Sequence, residues 1–199
     1  MKFRGAEAIV ETIEWKGQTV VSKVRNKRGY RHPSLEKRLV VERLRSESRI
    51  MERLLSCGIS VPSIYSVNIS DNSMLMEFID GQTLERALRG KKFKKYLVQT
   101  ANLLSQIHSL KVIHGDPTTS NFLVNDKIYA IDFGLSSISD DDEDRASDLR
   151  VFLESLDSHH SEINGRNIFL EAYSKGASKS VLEALKVLEL RGRYNLMRG

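Results

Sequence analysis

Val112-Ile113-His114-Gly115-Asp116-Pro117-Thr118-Thr119-Ser120-Asn121-Phe122-Leu123-Val124, followed by Ile131-Asp132-Phe133-Gly134, decides the reading of this chain. Three side chains suited to protons or hard cations are set into two apolar runs: Asp116, Asn121 and Asp132. Transfer of a phosphoryl group from ATP needs such a set. One carboxylate orients the attacking oxygen and takes its proton. An amide oxygen and a second carboxylate hold Mg²⁺ against the phosphates. A polar turn between two strands accounts for one such side chain, but not for three in this order and spacing.

Composition narrows the alternatives. The chain has 199 residues, with 40% hydrophobic and 29% charged, ordinary for a globular protein with a real core. No apolar run is long enough to predict a membrane span, and Met1-Lys2-Phe3-Arg4-Gly5 does not open like a signal peptide. Cys57 is the only cysteine, which excludes an internal disulfide framework and a cysteine-based zinc site. It is expected to pack as a small apolar residue, and the pattern fits a reducing cytoplasm. The net charge of +5 suits a solvated surface or an acidic partner such as RNA.

Working outward to the N-terminus, Ala6 to Trp15 and Gln18 to Arg25 alternate as two strands of a hairpin around Lys16-Gly17. Thr19, Val21, Lys23 and Arg25 share one face, on which Val21 could roof a base and Lys23 reach phosphates. Arg25 to His32 is basic. A helix is expected from Pro33-Ser34, with Ser34 as its cap, to about Ser56. Val40, Leu44, Met51 and Leu54 form its inward stripe, and Glu47 falls on it. A carboxylate there needs a partner, because a buried unpaired charge is costly; Lys23 supplies one. Ile64 to Ile69 and Met74 to Phe78 read as strands around Ser70-Asp71-Asn72-Ser73. Backbone groups of Glu77 and Ile79 are expected to be free for adenine. Gly81 marks the change to helical sequence, so the chain divides into a β-rich lobe, residues 1–80, and a mostly helical lobe, 81–199.

In the second lobe the pattern predicts helices over Thr83 to Arg89 and Phe93 to Leu110, with His108 as a packed or capping residue. Phe122 to Val124 and Lys127 to Ile131 form a hairpin that delivers Asn121 and Asp132 to one place, with Leu123 as the floor of an adenine pocket. An acidic run, Asp140 to Asp144, leads into a helix from about Arg145, whose Asp148 could anchor the central loop from below. Helices from Ser161 to Ser174 and Ser178 to Leu190 follow. Arg191, Arg193 and Arg198 make the tail basic, a frayed end or an arm for a phosphate backbone.

The central stretch resembles the protein-kinase pattern H-R-D-x-x-x-x-N followed by D-F-G, with Gly115 in the arginine position. Gly5 and Ala6 lie where a kinase carries its phosphate-covering loop, though with one glycine rather than three. A kinase would continue past Gly134 into an activation segment and A-P-E, which this chain lacks. Nearly the whole chain resembles the small atypical kinase of the KEOPS complex, the family that includes the p53-related protein kinase. The marks are Lys27-Arg28-Gly29-Tyr30-Arg31-His32-Pro33-Ser34-Leu35, the block from His114 to Asn121, Ile131 to Ser136, Glu143-Asp144-Arg145 with Asp148, and Arg191-Gly192-Arg193. The resemblance implies a two-lobed, truncated kinase-like α+β fold. It implies a Lys23–Glu47 pair, Asp116 as catalytic aspartate, and Asn121 and Asp132 as Mg²⁺ ligands. It also implies an atypical serine/threonine kinase or ATPase that serves threonylcarbamoyl-adenosine modification of tRNA, beside a catalytic ATP-binding subunit and a small regulatory subunit. Pro117 replaces the family's usual leucine, and the tail has fewer basic residues after Arg193.

Three rival readings stand beside this one. His-Gly-Asp also resembles the aminoglycoside and choline kinases, which need extra helices to build an acceptor pocket. A scaffold could bind ATP without turnover, although it has no chemical need for Lys23, Asp116, Asn121 and Asp132 together. A free-standing RNA-binding protein would rest only on the basic segments 25–32 and 191–198.

Overall fold

A computed structural model of the protein describes the backbone of residues 2–4, 8–25 and 33–196, and the side chains of 8–25 and 38–191. Gly5, Ala6, the basic segment 26–32, the Ser34 cap and the side chains of Arg193 and Arg198 lie outside the described residues. The chain divides into two compact units, Met1–Asp80 and Gly81–Gly199.

In the first unit, β1 (Lys2–Arg4), β2 (Ala8–Trp15) and β3 (Gln18–Arg25) precede the long helix α1 (Pro33–Ser56), and β4 (Ile64–Asn68) and β5 (Ser73–Glu77) follow it. The five strands form one antiparallel sheet in the order β1-β2-β3-β5-β4. The β2–β3 ladder runs unbroken from Ala8↔Arg25 to Trp15↔Gln18. Lys16 and Gly17 both take positive φ, the turn geometry that matches strand twist in a two-residue hairpin. Val40, Leu44, Met51 and Leu54 of α1 are buried on one stripe. The helix stops in a Schellman arrangement: Ile59 N–H donates to the Leu54 carbonyl and Gly58 N–H to that of Leu55. Cys57 sits in this terminating turn and is exposed, contrary to the expectation of packing, because the turn carries it off the apolar stripe.

The second unit starts with β6 (Gln82–Thr83), α2 (Leu84–Ala87) and α3 (Phe93–Ser109). Then come β7 (Val112–Ile113), a 3-10 turn (Thr119–Asn121), β8 (Phe122–Val124), β9 (Ile128–Ala130) and β10 (Ser137–Ile138). Helices α4 (Asp142–His159), α5 (Gly165–Ser174) and α6 (Lys179–Leu196) complete it. The short strands form two small antiparallel sheets, β6-β8-β9 and β10-β7. Leu97, Ala101, Leu104 and Ile107 of α3 are fully buried, as are Leu149, Phe152 and Leu153 of α4. An aromatic chain crosses this core. Phe122 meets Phe152 edge-on at 5.9 Å, Phe152 stacks on Phe169 at 4.0 Å, and Phe169 stacks on Tyr173 at 6.4 Å. Each fully buried large side chain contributes about 1.5–3 kcal/mol, so this chain of rings is a main support of the second unit.

Four helices have limits other than those expected: α2 runs only from Leu84 to Ala87, with Thr83 as its cap, instead of Thr83 to Arg89. Helix α4 begins at Asp142 rather than Arg145. Asp141 caps it by accepting from the Glu143 N–H at 2.9 Å, and the acidic first turn faces the positive end of the helix dipole. Helix α5 begins at Gly165 rather than Ser161, after a turn in which Ile163 N–H donates to the His160 carbonyl. Helix α6 continues beyond Leu190 to Leu196, so part of the basic tail is helical. Among the described residues, no helix is long and apolar enough to cross a membrane.

Candidate functional site

The loop between β7 and the 3-10 turn is held from one side by a single buried carboxylate. Asp148 of α4 accepts the N–H of His114 at 2.6 Å, the N–H of Gly115 at 2.9 Å and His108 Nε2 at 3.1 Å. His108 is thereby fixed with its Nε2 proton toward Asp148. Its Nδ1 accepts from the Tyr173 hydroxyl at 2.6 Å. Burial holds the Tyr173 phenol far above its ordinary pKa, so it stays a donor. His108 was expected only to pack or cap. Tyr173 gave no sequence signal, because one tyrosine in an apolar helix looks like core.

His114 is buried and packs on Phe133, with ring centroids 4.6 Å apart. Its Nε2 lies 3.1 Å from the Ile131 carbonyl and donates to it, and its Nδ1 accepts the Asp116 N–H at 3.4 Å. Burial lowers its pKa, against the pull of Asp148, Asp132 and Asp116, so the ring is neutral and serves as a spacer between two segments. Thr118 N–H donates to the Asp116 carbonyl at 2.8 Å, closing a three-residue turn. Pro117 at its centre has the fixed φ that such a turn requires. Thr119 is tied to Ser155 of α4 through its N–H and its hydroxyl, both at 3.0 Å.

Gly115 has a φ of +83°, and a Cβ placed on it would stand 2.3 Å from the Leu135 carbonyl oxygen. No side chain fits there without moving backbone. The glycine in the arginine position is therefore a packing requirement: the segment after Gly134 runs where an arginine stem would leave the loop.

Asp116 and Asn121 come together in this loop. Asn121 Nδ2 donates to the Asp116 carbonyl at 2.8 Å and to its Oδ2 at 3.0 Å. With the nitrogen so engaged, the amide oxygen is the atom Asn121 can present to a cation. Burial raises the Asp116 pKa, while His114 and the Asn121 hydrogen bond pull the other way. Asp132 takes a φ of +62°, rare for a residue with a side chain and a mark of backbone held by its surroundings. Its Oδ1 accepts the Gly134 N–H at 3.3 Å. The Ile131 N–H donates to the Asn121 carbonyl at 3.0 Å, which joins the two segments next to Asp132. Leu123 lies half-buried on β8, opposite Tyr129 of β9. This donor set is made of hard oxygens. Magnesium is bound by one or two carboxylates plus substrate phosphates, so the residues present fit a phosphate-bound Mg²⁺.

In the first unit, Lys23 Nζ lies 2.6 Å from Glu47 Oε1, with both side chains buried. Arg25 Nη2 holds the other carboxylate oxygen at 2.5 Å. The sequence reading paired Glu47 with Lys23 alone. Arg25 was visible on the same strand face, but its place in a basic run disguised it. Val21 is half-buried opposite Met76. Of the two backbone groups expected free at Glu77, the N–H is not, because it donates to the Ser63 carbonyl at 2.8 Å. The Glu77 carboxylate accepts the Ser63 N–H at 3.0 Å.

Beyond Gly134 the chain reaches α4 in seven residues and is clasped throughout. Strand β10 pairs with β7, and Ser139 N–H donates to the Lys111 carbonyl at 2.9 Å. Asp140 takes both Lys111 and Arg145 at 2.7 Å, and Arg145 also reaches Asp142 at 2.6 Å. These hydrogen bonds hold the Asp140 carboxyl below the usual carboxylate range. Arg191 of α6 is paired with Glu143 at 2.8 Å and so braces two helices.

A family model described as the protein kinase domain matches residues 4–156. Among curated proteins, the chain is 37% identical to the EKC/KEOPS complex subunit BUD32 of Encephalitozoon cuniculi, over 96% of this chain and 94% of that protein. It is 36% identical to the probable bifunctional tRNA threonylcarbamoyladenosine biosynthesis protein of Methanospirillum hungatei, over 96% of this chain but 36% of that protein. The chain thus spans about a third of the length of these bifunctional relatives. Among solved structures, the Rio2 kinase–ADP/Mg²⁺–phosphoaspartate complex from Chaetomium thermophilum is similar, with a TM-score of 0.67. That likeness covers 98% of this chain and 70% of the other at 14% identity, and speaks for the fold alone. The two-lobed kinase-like reading of the fold is borne out, and the chain belongs to the protein kinase domain family and, within it, to the Bud32 family.

Proposed function

We propose that this protein carries out Mg·ATP-dependent phosphoryl transfer as the Bud32-type subunit of a KEOPS assembly that makes threonylcarbamoyl-adenosine in tRNA. The observation that carries this reading is the loop, seated on Asp148 through the N–H groups of His114 and Gly115, in which Asp116, held by Asn121, precedes the segment joined to the one that bears Asp132. The names of the relatives supply the setting in tRNA modification. Lys23, charged and buried on Glu47, binds the α- and β-phosphates. Asn121 and Asp132 hold Mg²⁺, which supplies charge neutralisation at the phosphates when bound. Val21 and Ile79 of the first unit, and Leu123 of the second, are the residues assigned to adenine. Asp116 orients the attacking oxygen and accepts its proton, a role that suits a carboxylate with a raised pKa.

The acceptor is water or a serine or threonine hydroxyl. The short clasped segment after Gly134 favours water, since it builds no peptide-binding shelf of its own. The partners are the catalytic subunit and a small regulatory subunit, in the cytoplasm. The test follows labelled γ-phosphate with wild type and Asp132→Ala, alone and then with tRNA and partner subunits. Turnover in wild type and none in a normally folded Asp132→Ala is expected, with label released as free phosphate. Wild-type turnover in the variant would overturn the mechanism. Label kept on serine or threonine would make the protein a kinase first.

A further inference from the structure

We infer that Arg86 to Lys95, from the end of α2 into the first turn of α3, is a contact surface for the phosphate backbone of RNA. In ten residues, Arg86-Ala87-Leu88-Arg89-Gly90-Lys91-Lys92-Phe93-Lys94-Lys95, there are six cations and no carboxylate. That local charge exceeds the net +5 of the whole chain. All six side chains are exposed, while Ala87 and Leu88 between them are buried and fix the segment to the core.

Elsewhere in this unit, Lys111, Arg145, Arg150, Arg166 and Arg191 each hold a carboxylate in a close ion pair. Here, among the described residues, only Arg89 approaches one, Glu85 Oε1 at 3.8 Å, while Glu85 Oε2 accepts the Ser120 hydroxyl at 2.9 Å. Lys92, Lys94 and Lys95 stand at the start of α3, where the helix dipole disfavours cations, and the first turn has no acidic residue to offset them. The arrangement is poor for the stability of α3 and good for a polyanion. Four of the six cations are lysines, point charges without the fixed fork that selects a carboxylate, and no large apolar side chain is exposed among them as a peptide anchor. Both features favour a phosphate ladder over an acidic protein. The Ser120–Glu85 bond sets this surface against the loop that carries Asp116 and Asn121. The choice of RNA as the polyanion rests on the reading of the protein as part of a tRNA-modifying assembly.

The test is fluorescence anisotropy of an unmodified tRNA transcript with the full chain and no nucleotide, across a salt series. Wild type is compared with Lys91→Gln, Lys92→Gln, Lys94→Gln and Lys95→Gln combined. A control variant combines Lys175→Gln, just after α5, with Lys179→Gln and Lys186→Gln on α6. Loss of four phosphate contacts flattens the slope of log affinity against log salt by about 3 and weakens binding at least ~10-fold at moderate salt. The melting temperature should stay level or rise, as unfavourable charges leave the helix start. An unchanged slope in the fourfold variant, or an equal loss per charge in the control, overturns the proposal, as does no binding by wild type. Displacement of the tRNA by polyglutamate at equal charge overturns it in favour of an acidic protein. ATP turnover in the same samples reports on the proposed function separately: an inactive chain that still shows the expected salt slopes keeps this surface and loses that function.

Discussion

Replacing Gly115 by alanine is the smallest change that tests how the catalytic loop is seated. The residue sits at φ +83°, and the new Cβ would meet the Leu135 carbonyl oxygen at 2.3 Å and the carbonyl carbon at 2.8 Å. Close carbon–oxygen contacts settle near 3.3 Å, so backbone has to move by about 1 Å. The left-handed conformation costs an L-residue about 1–2 kcal/mol. Displacing Leu135, which lies two residues before the strand paired to β7, adds a comparable amount. A loss of about 3 kcal/mol follows, which for a chain of this size lowers the melting temperature by about 6–12 °C. The loop carries Asp116 as the next residue, so a shift of this size reduces ATP turnover by about 10²-fold in protein that remains folded. Thermal melts followed by calorimetry and turnover at a temperature well below both transitions measure the two effects. Leu135→Ala as a second change should not restore either, because the nearest contact is to backbone. An alanine variant within 2 °C of wild type and fully active would refute the argument, and with it the account of why arginine is absent.

Glu47→Gln leaves Lys23 and Arg25 buried against a neutral amide. Breaking such a pair costs about 3–5 kcal/mol, and a urea midpoint close to that of wild type would show the triad to be dispensable. Tyr173→Phe strips the donor from His108 Nδ1 inside the core, for about 1–2 kcal/mol. Imidazole nitrogen shifts by NMR should show the change at His108, and an unaltered spectrum would remove Tyr173 from the network. Burial lowers the pKa of His114, so the fold disfavours its charged form. The stability this residue supports is complete above about pH 6.5 and declines as pH falls below it, and a urea midpoint flat from pH 7.5 to 5.5 would contradict this. The Asp116 carboxyl titrates above its ordinary value, so the acid limb of turnover should lie above about pH 4, and a limb at or below that value argues against Asp116 as the base.

The elements with strong periodicity were readable from sequence: the β2–β3 hairpin, the stripe of α1 with Glu47 on it, α3, and the β8–β9 pair beside Asp132. Each is set by local alternation or by a buried face, so neighbours in sequence carry the information. What escaped reading depends on partners distant in sequence. Tyr173 meets His108 across 65 positions, and nothing near either residue signals the bond. Arg25 looked like the first member of a basic run because its burial depends on a glutamate 22 residues on. The acidic run reads as a solvated helix N-terminus, which is what a first turn favours, and only the starting residue of α4 differs, Asp142 instead of about Arg145. Gly115 was seen as a departure, but its cause lies in the Leu135 carbonyl, which no spacing rule reveals.

The clasp after Gly134 joins these observations. A segment that reaches α4 in seven residues cannot wander far from the loop, and its path next to Gly115 excludes a side chain there. The space a side chain at position 115 would occupy is taken by backbone, and the connector itself is pinned by Lys111 and Arg145, both on Asp140. Those cations hold the connector in place from opposite sides, one from the turn after α3 and one from the first turn of α4. Exposed ion pairs of this kind are weak one at a time, and their effect here comes from sharing a carboxylate with the β10–β7 pairing behind it. The loop therefore has its anchor, Asp148, and its cover, residues 135–141, both fixed by one helix, α4. For the phosphoryl transfer proposed above, this arrangement argues for an acceptor, other than water, supplied from outside the chain rather than by a peptide bound to residues 135–141.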